Sequence, residues 1–203
     1  MSHLERDTRQ CIVDTAERFF RDIGYQKTTV ADIAKALRMS PANVYRFFDS
    51  KKSINEAVAE RYMGEMEAAV TAIAREKRSA AERLRDILIT NNRINSLRYL
   101  DHHKVHEMVA AAMEESWEVV QAHIGRYDGI LRGVVAEGID SGEFRPMDPQ
   151  VATACVRFAM TPFCHPMLIS QCLSLPGPSI EEMVDFILAG LGYSRAKVSH
   201  AEA

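Results

Sequence analysis

Apolar residues recur at intervals of three and four along almost the whole chain, and no stretch alternates with the period of two that a half-buried strand requires. This pattern predicts an all-α fold. Ile12, Val13, Ala16, Phe19, Phe20 and Ile23 form one stripe on a leading helix over about 8 to 23, which stops at Gly24. Thr29 then stands before Val30, Ile33, Ala34 and Leu37, with Asp32 at the acid position of a capping box, so a second helix is expected over about 30 to 37. Ser40 and Pro41 combine an N-cap oxygen with the residue best tolerated in a first helical turn, and they start a third. Only Arg38 and Met39 lie between the last two helices. The pair must therefore cross steeply, with Ala42, Asn43, Tyr45 and Arg46 presented outward, which is the outline of a DNA-reading helix-turn-helix.

After Asp49-Ser50 a long helix carries Ile54, Ala57, Val58, Met63 and Met66 toward Arg75, and it would link a reading head to the rest of the chain. Ser79 with Glu82 is a second capping-box pattern, opening a helix that reaches about Leu97. Two more helices are expected from Asp101 to about Met113 and from Glu115 to about Ile139, the latter ended by Ser141-Gly142. Asp148-Pro149 opens another, which Pro162 and Pro166 should kink or break before Leu173. Pro176-Gly177-Pro178 is a loop, and Ser179 with Glu182 caps a final helix containing Ile180, Met183, Val184, Ile187, Leu188 and Leu191.

The stretch Gly24 to Ile54, GYQKTTVADIAKALRMSPANVYRFFDSKKSI, resembles the amino-terminal signature of TetR-family transcriptional regulators. The resemblance rests on the helix end at Gly24-Tyr25, the Thr-Thr cap, the Asp-Ile-Ala helix, the Ser-initiated helix with its Tyr, and the Phe-x-Ser-Lys exit. It implies an N-terminal three-helix DNA-binding domain over 1–50 and a helical effector-binding and dimerisation domain over 51–203. Two positions depart from the family pattern. The turn usually carries Gly-Val where this chain has Arg38-Met39, so either Arg38 adopts positive φ, at about 1 kcal/mol, or the turn differs. Phe47 stands where the family often has a His or Tyr able to bond a phosphate, and that contact is not transferred.

Charge agrees with this division. Residues 1–52 hold ten Lys/Arg against seven Asp/Glu, and residues 53–203 hold fifteen against twenty-one, so a mildly basic head precedes an acidic body that DNA would repel. The polar start MSHLERDTRQ lacks a secretory apolar core, and no run of about 18 apolar residues is available to span a bilayer, so the expectation is a cytoplasmic protein with no membrane partner. Cys11, Cys155, Cys164 and Cys172 form no C-x-x-C pair and are expected as thiols.

The partner expected for the head is double-stranded DNA. Thr28, Thr29, Ser40, Lys51 and Lys52 sit at helix amino termini, where free N–H groups and the dipole attract phosphate. Lysines in a first turn cost an isolated helix about 0.3–1 kcal/mol each; a phosphate reverses that sign, and simple extension into solvent is the alternative. The family implies the phosphate contact for Lys51. On the reading helix, Arg46 suits a guanine edge, Asn43 an adenine edge, and Ala42, next to Pro41, a thymine methyl. Tyr45 has two readings, a hydroxyl on phosphate as the family implies, or a ring in the small core beside Phe48. Val44 and Phe48 fall on the inward face.

One such helix specifies too few base pairs, and a two-fold homodimer on a palindromic operator would double the readout. The resemblance assigns dimerisation to the helices at about 149 to 165 and 180 to 191, paired with their twins. Val151, Ala154, Phe158, Met183, Phe186 and Ile187 are the candidate interface. The family also implies a small effector among the central helices that releases DNA, which by linkage DNA must weaken equally. Tyr62, Met63, Met66, Asn92, Asn95, His106, Trp117, Tyr127, Phe158 and Phe163 suit a lipophilic ligand with few polar groups, although Met and aromatic residues at helical spacing equally suit ordinary core. His102 and His106 lie four apart, a spacing zinc can bridge, but two ligands do not make a site, although Cys164-His165 could in principle supply more; polar surface or pocket lining is the competing reading, and no metal or cofactor is expected. No Gly-rich phosphate loop or nucleophile elbow is present, and an enzyme would have to rely on Cys164 in an apolar, proline-broken segment. A dimeric DNA-binding regulator without a ligand is the other alternative.

Overall fold

The computed structural model describes residues 3–99, 103–172 and 175–194, and all regular secondary structure among them is helical. The order is α1 (His3–Asp22), α2 (Val30–Ala36), α3 (Pro41–Tyr45), α4 (Lys51–Ala74), α5 (Ala80–Tyr99), α6 (His103–Glu115), α7 (Trp117–Asp140), α8 (Pro149–Cys164), α9 (Ile169–Cys172) and α10 (Ile180–Gly190). His102, one of the two histidines at zinc-bridging spacing, lies outside the described residues.

The chain forms two compact units, Met1–Glu65 with Arg98–His123, and Met66–Leu97 with Ile124–Ala203. They part within α4, between Glu65 and Met66, whereas the functional division expected from sequence falls near residue 50.

In the first unit α1 packs on α2 and α6, and α2 packs on α3. Its apolar stripe is buried as the spacing predicts: Ile12, Ala16 and Phe20 are buried together with Ile33, Ala34, Val44 and Phe48 of the reading pair and Ile54 and Val58 of α4. Ile23 leaves that stripe and is exposed, because α1 ends at Asp22. Phe20 meets Tyr25 edge-on at 5.2 Å, which closes the turn after α1. Polar bonds add to this packing along α6. Lys104 Nζ donates to the carbonyl of Asp22 at the end of α1, Asn55 donates to the Met108 carbonyl at 3.1 Å, and Ser116 donates to Glu56 at 2.6 Å. A cation beside the last carbonyls of α1 offsets the negative end of its dipole.

In the second unit a core of Leu84, Ile87 and Leu88 from α5, Leu131, Val134 and Val135 from α7, Val156 and Met160 from α8, and Val184 and Leu188 from α10 excludes water. The expected start of α5 at Ser79 is correct, and Ser79 accepts the Glu82 N–H at 3.1 Å. The donors nearest the start have a partner that local spacing does not reveal: the N–H groups of Ala80 and Ala81 each reach a Glu143 carboxylate oxygen at 3.0 Å. The final capping box is complete, with Ser179 and Glu182 bonded in both directions.

The two prolines of α8 act differently. Pro162 is carried inside the helix. Pro166 ends it, because a residue before proline is driven out of the α region, and His165 has φ −74 and ψ 124.

Candidate nucleic-acid interface

Three helix starts and one short helix build the surface that the sequence singles out. At α2, Thr29 accepts the Asp32 N–H at 3.1 Å and Asp32 accepts the Thr29 N–H at 3.0 Å, so the predicted capping box is formed in both directions. The Thr29 hydroxyl, which donates to the Asp32 carboxylate at 2.6 Å, and then the Thr29 N–H hold the fully exposed Asp32 carboxyl below the usual carboxylate range. At α3, Ser40 accepts the Asn43 N–H at 3.2 Å and Pro41 occupies the first turn. Between them Arg38 has φ 53, the left-handed conformation that glycine adopts without strain. Of the two alternatives for the turn, positive φ at Arg38 is the one found.

The start of α4 carries a cap that sequence reasoning missed. Ser50 and Ser53 exchange bonds, each N–H donating to the other's Oγ, at 3.1 and 3.0 Å. The Ser-x-x-Ser spacing is a legible signal for it, because it reproduces capping-box geometry with a hydroxyl in place of the carboxylate.

Burial sorts the candidate DNA-binding residues. Thr29, Ser40, Pro41, Ala42, Tyr45 and Arg46 are exposed, and Asn43 is half-buried with its amide on the Met39 sulfur at 3.8 Å. Tyr45 is 51% exposed, so its ring is not part of the core beside Phe48, which together with Val44 is buried as predicted. Thr28 is a correction. Its side chain is 1% exposed and its hydroxyl donates to the Gly24 carbonyl at 2.8 Å, a bond that tightens the turn after α1 and turns the group away from any phosphate.

Lys51 does not simply extend into solvent. Its ammonium donates to the Tyr25 carbonyl at 3.0 Å and lies 4.3 Å from the centre of the Tyr25 ring. Burial, with Glu115 accepting from the Tyr25 hydroxyl at 3.1 Å, pushes that phenol up to about 12, so it stays a neutral donor. Lys52 stands 3.7 Å from Glu56 on the same helix.

Residues 12–58 match the family described as "Bacterial regulatory proteins, tetR family", and residues 80–184 match "Tetracyclin repressor-like, C-terminal domain". The chain belongs to the TetR family of transcriptional regulators. A TetR/AcrR-family regulator from Thermobifida fusca YX-ER1 is 28% identical and superposes with a TM-score of 0.67, covering 93% of this chain and 100% of that one. The FadR regulator of Bacillus subtilis, solved in complex with stearoyl-CoA, has a TM-score of 0.65 at 21% identity over 90% of this chain and 96% of its own. The biofilm-operon negative regulator IcaR of Staphylococcus aureus strain Newman is 49% identical over 45 residues, which are 22% of this chain and 24% of that protein. This short match is about as long as the head of a TetR-family chain.

The residues considered for the TetR-type effector site divide between the two units. Tyr62, Met63, His106 and Trp117 belong to the first unit, and Met66, Asn92, Asn95, Tyr127, Phe158 and Phe163 to the second. In the first, Tyr62 is buried with its hydroxyl on Glu17 at 2.7 Å and the Arg98 guanidinium 3.9 Å from its ring; Met63 and His106 are half-buried, and Trp117 is 45% exposed. In the second, Met66 and Tyr127 are core, Phe163 is half-buried against that core, and Phe158 is an exposed side chain beside Arg157. Asn92 donates to the Phe163 carbonyl at 2.7 Å, and Asn95 to the Asn91 side chain at 2.6 Å.

The candidate interface residues separate as well. Val151, Phe158 and Phe186 are exposed, and Ala154 and Met183 are half-buried. Ile187 is a correction, because it turns into the core with Leu188 and is 7% exposed. Burial pushes the Cys164 thiol up to about 12, which keeps it protonated and unreactive at neutral pH, and it lowers the neighbouring His165. Among the described residues no group of three His, Cys, Asp or Glu side chains is placed to hold a metal ion, and no helix is long and apolar enough to cross a membrane.

Proposed function

We propose that this TetR-family protein is a repressor that binds a palindromic operator as a homodimer and is released from it by a small lipophilic effector. In this reading residues 1–50 read DNA in the cytoplasm, and residues 51–203 bind the effector and dimerise. The observation that carries it is the outward face of α3: Ala42, Tyr45 and Arg46 are exposed next to the Ser40 cap, while Val44 and Phe48 anchor the opposite face in the core. Base-edge donors and an apolar methyl on an anchored helix are what a major-groove reader requires. The Ser40 hydroxyl at the start of α3 would add a phosphate contact; Thr29 already gives its N–H and hydroxyl to Asp32 and would have to exchange those bonds to do so.

Dimerisation is supported by Val151, Phe158 and Phe186, large apolar side chains exposed on α8 and α10 at 59%, 67% and 73%. An effector site in the second unit would draw on Asn92, Asn95, Tyr127 and Phe163. The acyl-CoA bound by the similarly folded FadR makes long-chain acyl thioesters the first compounds to try. One observation favours a regulator without a ligand: Asn92 and Asn95 already bond within the unit.

Selection of duplexes from a random pool, followed by binding at physiological salt, tests the reading. The expected result is a two-fold symmetric site preferred at least about a thousandfold over its shuffled counterpart. Arg46→Ala should weaken binding and relax the preference at one position of each half-site, whereas Ser40→Ala should weaken binding to all sequences alike. No preference in the selected pool would end the proposal.

A further inference from the structure

Arg9 lies on α1, outside every element that the reading helix and its flanking caps supply. Its guanidinium carbon is 4.5 Å from the centre of the Phe48 ring, and it lines one surface concavity with Tyr45 and Arg46. Phe48 is 4% exposed, so the ring that Arg9 covers is a fixed part of the core. Arg61, which pairs with Asp14 and Glu17, and Arg98, which pairs with Glu65 at 2.6 Å, are committed to carboxylates; Arg9 shares its concavity with Arg46 of the reading helix instead. Arg9 joins no carboxylate among the described residues.

A guanidinium over an aromatic ring meets it as a cation, and those of its N–H donors that do not face the ring stay available for the oxygens of a phosphate. The side chain is half-buried, so it loses less rotamer freedom than a fully exposed arginine when it meets a ligand. We infer that Arg9 is a further DNA-backbone contact, which takes a phosphate flanking the bases that α3 meets. This inference rests on the DNA-binding reading above and adds a residue to that surface.

The concavity also contains Asp49, Glu56 and Glu60, which outnumber its two arginines. A free anion gains little there. A duplex already held by α3 and the helix caps delivers its phosphate at high effective concentration, and the acids then restrict the contact to tethered phosphate.

The test compares wild type, Arg9→Met and Arg9→Lys on the selected duplex and on a shuffled one between ~50 and ~200 mM salt. Methionine keeps an apolar cover on Phe48 and removes the charge; lysine keeps the charge and removes the fork. Arg9→Met should bind both duplexes several-fold more weakly by the same factor, with the slope of log affinity against log salt shallower by about 0.9 and the sequence preference unchanged. Arg9→Lys should keep the wild-type slope and recover most of the affinity. If Arg9→Met retains the wild-type slope, Arg9 only packs on Phe48 and the inference is overturned, whatever happens to affinity or melting temperature. Wild-type protein that binds no duplex in a salt-dependent way would sink the functional reading and this inference together.

Discussion

Arg38 shows how a single backbone angle separates this chain from the pattern it resembles. A side chain at φ 53 crowds its own carbonyl, and glycine relieves that contact while losing more freedom on folding. The first effect is larger, so Arg38→Gly should raise stability by about 0.5–1 kcal/mol, read as a higher urea midpoint with unchanged slope. Gly24 is the opposite case: its φ of +107 strains any L side chain placed there, whereas the atom nearest an added Cβ is the movable carboxylate end of Glu107, so the torsional term alone opposes substitution. Asp32 supplies a pH dependence. Its carboxyl titrates lower in the folded protein than in the unfolded chain because Thr29 bonds its charged form. Its contribution is therefore fully present above the ordinary value of about 3.9 and is lost as pH falls through the lower folded value. Amide protection at the start of α2, taken relative to the intrinsic exchange rate at each pH, should fall over that acid window in wild type. Asp32→Asn should flatten the response, and a wild-type profile with no change there would refute the assignment.

At the scale of elements, each helix owes its position to its ends as much as to its stripe. The caps of α2, α3 and α10 lie within four residues of chain, and Thr29, Ser40 and Ser179 were therefore readable from spacing alone. The start of α5 was only half readable, because Glu143 is more than sixty residues from the two N–H groups it accepts, as the separations of 63 and 62 record. Glu143→Ala should leave both donors without an acceptor in a partly buried place and cost about 1–3 kcal/mol, measured by thermal or urea unfolding. Glu82→Ala, on the same turn, should cost less. Comparable losses from the two would mean that Glu143 does not hold this helix start. Lys51 shows why side-chain partners escape a linear reading: its spacing suits a helix terminus facing phosphate, but folding brings the Tyr25 carbonyl and ring within reach.

At the scale of the whole molecule, the second unit leaves Val151 and Phe158 of α8 and Phe186 of α10 in contact with water in a single chain. A second copy that buried them would recover roughly 1.5–3 kcal/mol for each side chain fully removed from solvent. In the proposed dimer, Phe158→Glu and Phe186→Glu should therefore shift the sedimenting species to monomer, and affinity for the proposed palindromic operator should fall because half of the readout is lost. Variants that stay dimeric at micromolar concentration would place the interface elsewhere.

The all-helical fold, the helix-turn-helix and the caps of α2, α3 and α10 were determined by the sequence alone, because each depends on periodicity or on residues within a turn of one another. The exposed face of α3 was determined in the same way, since Val44 and Phe48 at four-residue spacing assign the opposite side to the core. The tertiary structure decided what depends on distant neighbours: the inward turn of Thr28 and Ile187, the division of the effector candidates between two units, the clamp of Lys51 on Tyr25, and the placement of Arg9 over Phe48. The physical reason is the same throughout. Local spacing assigns a residue to a helix face, but burial and partner choice are set by which other surface folding brings against that face.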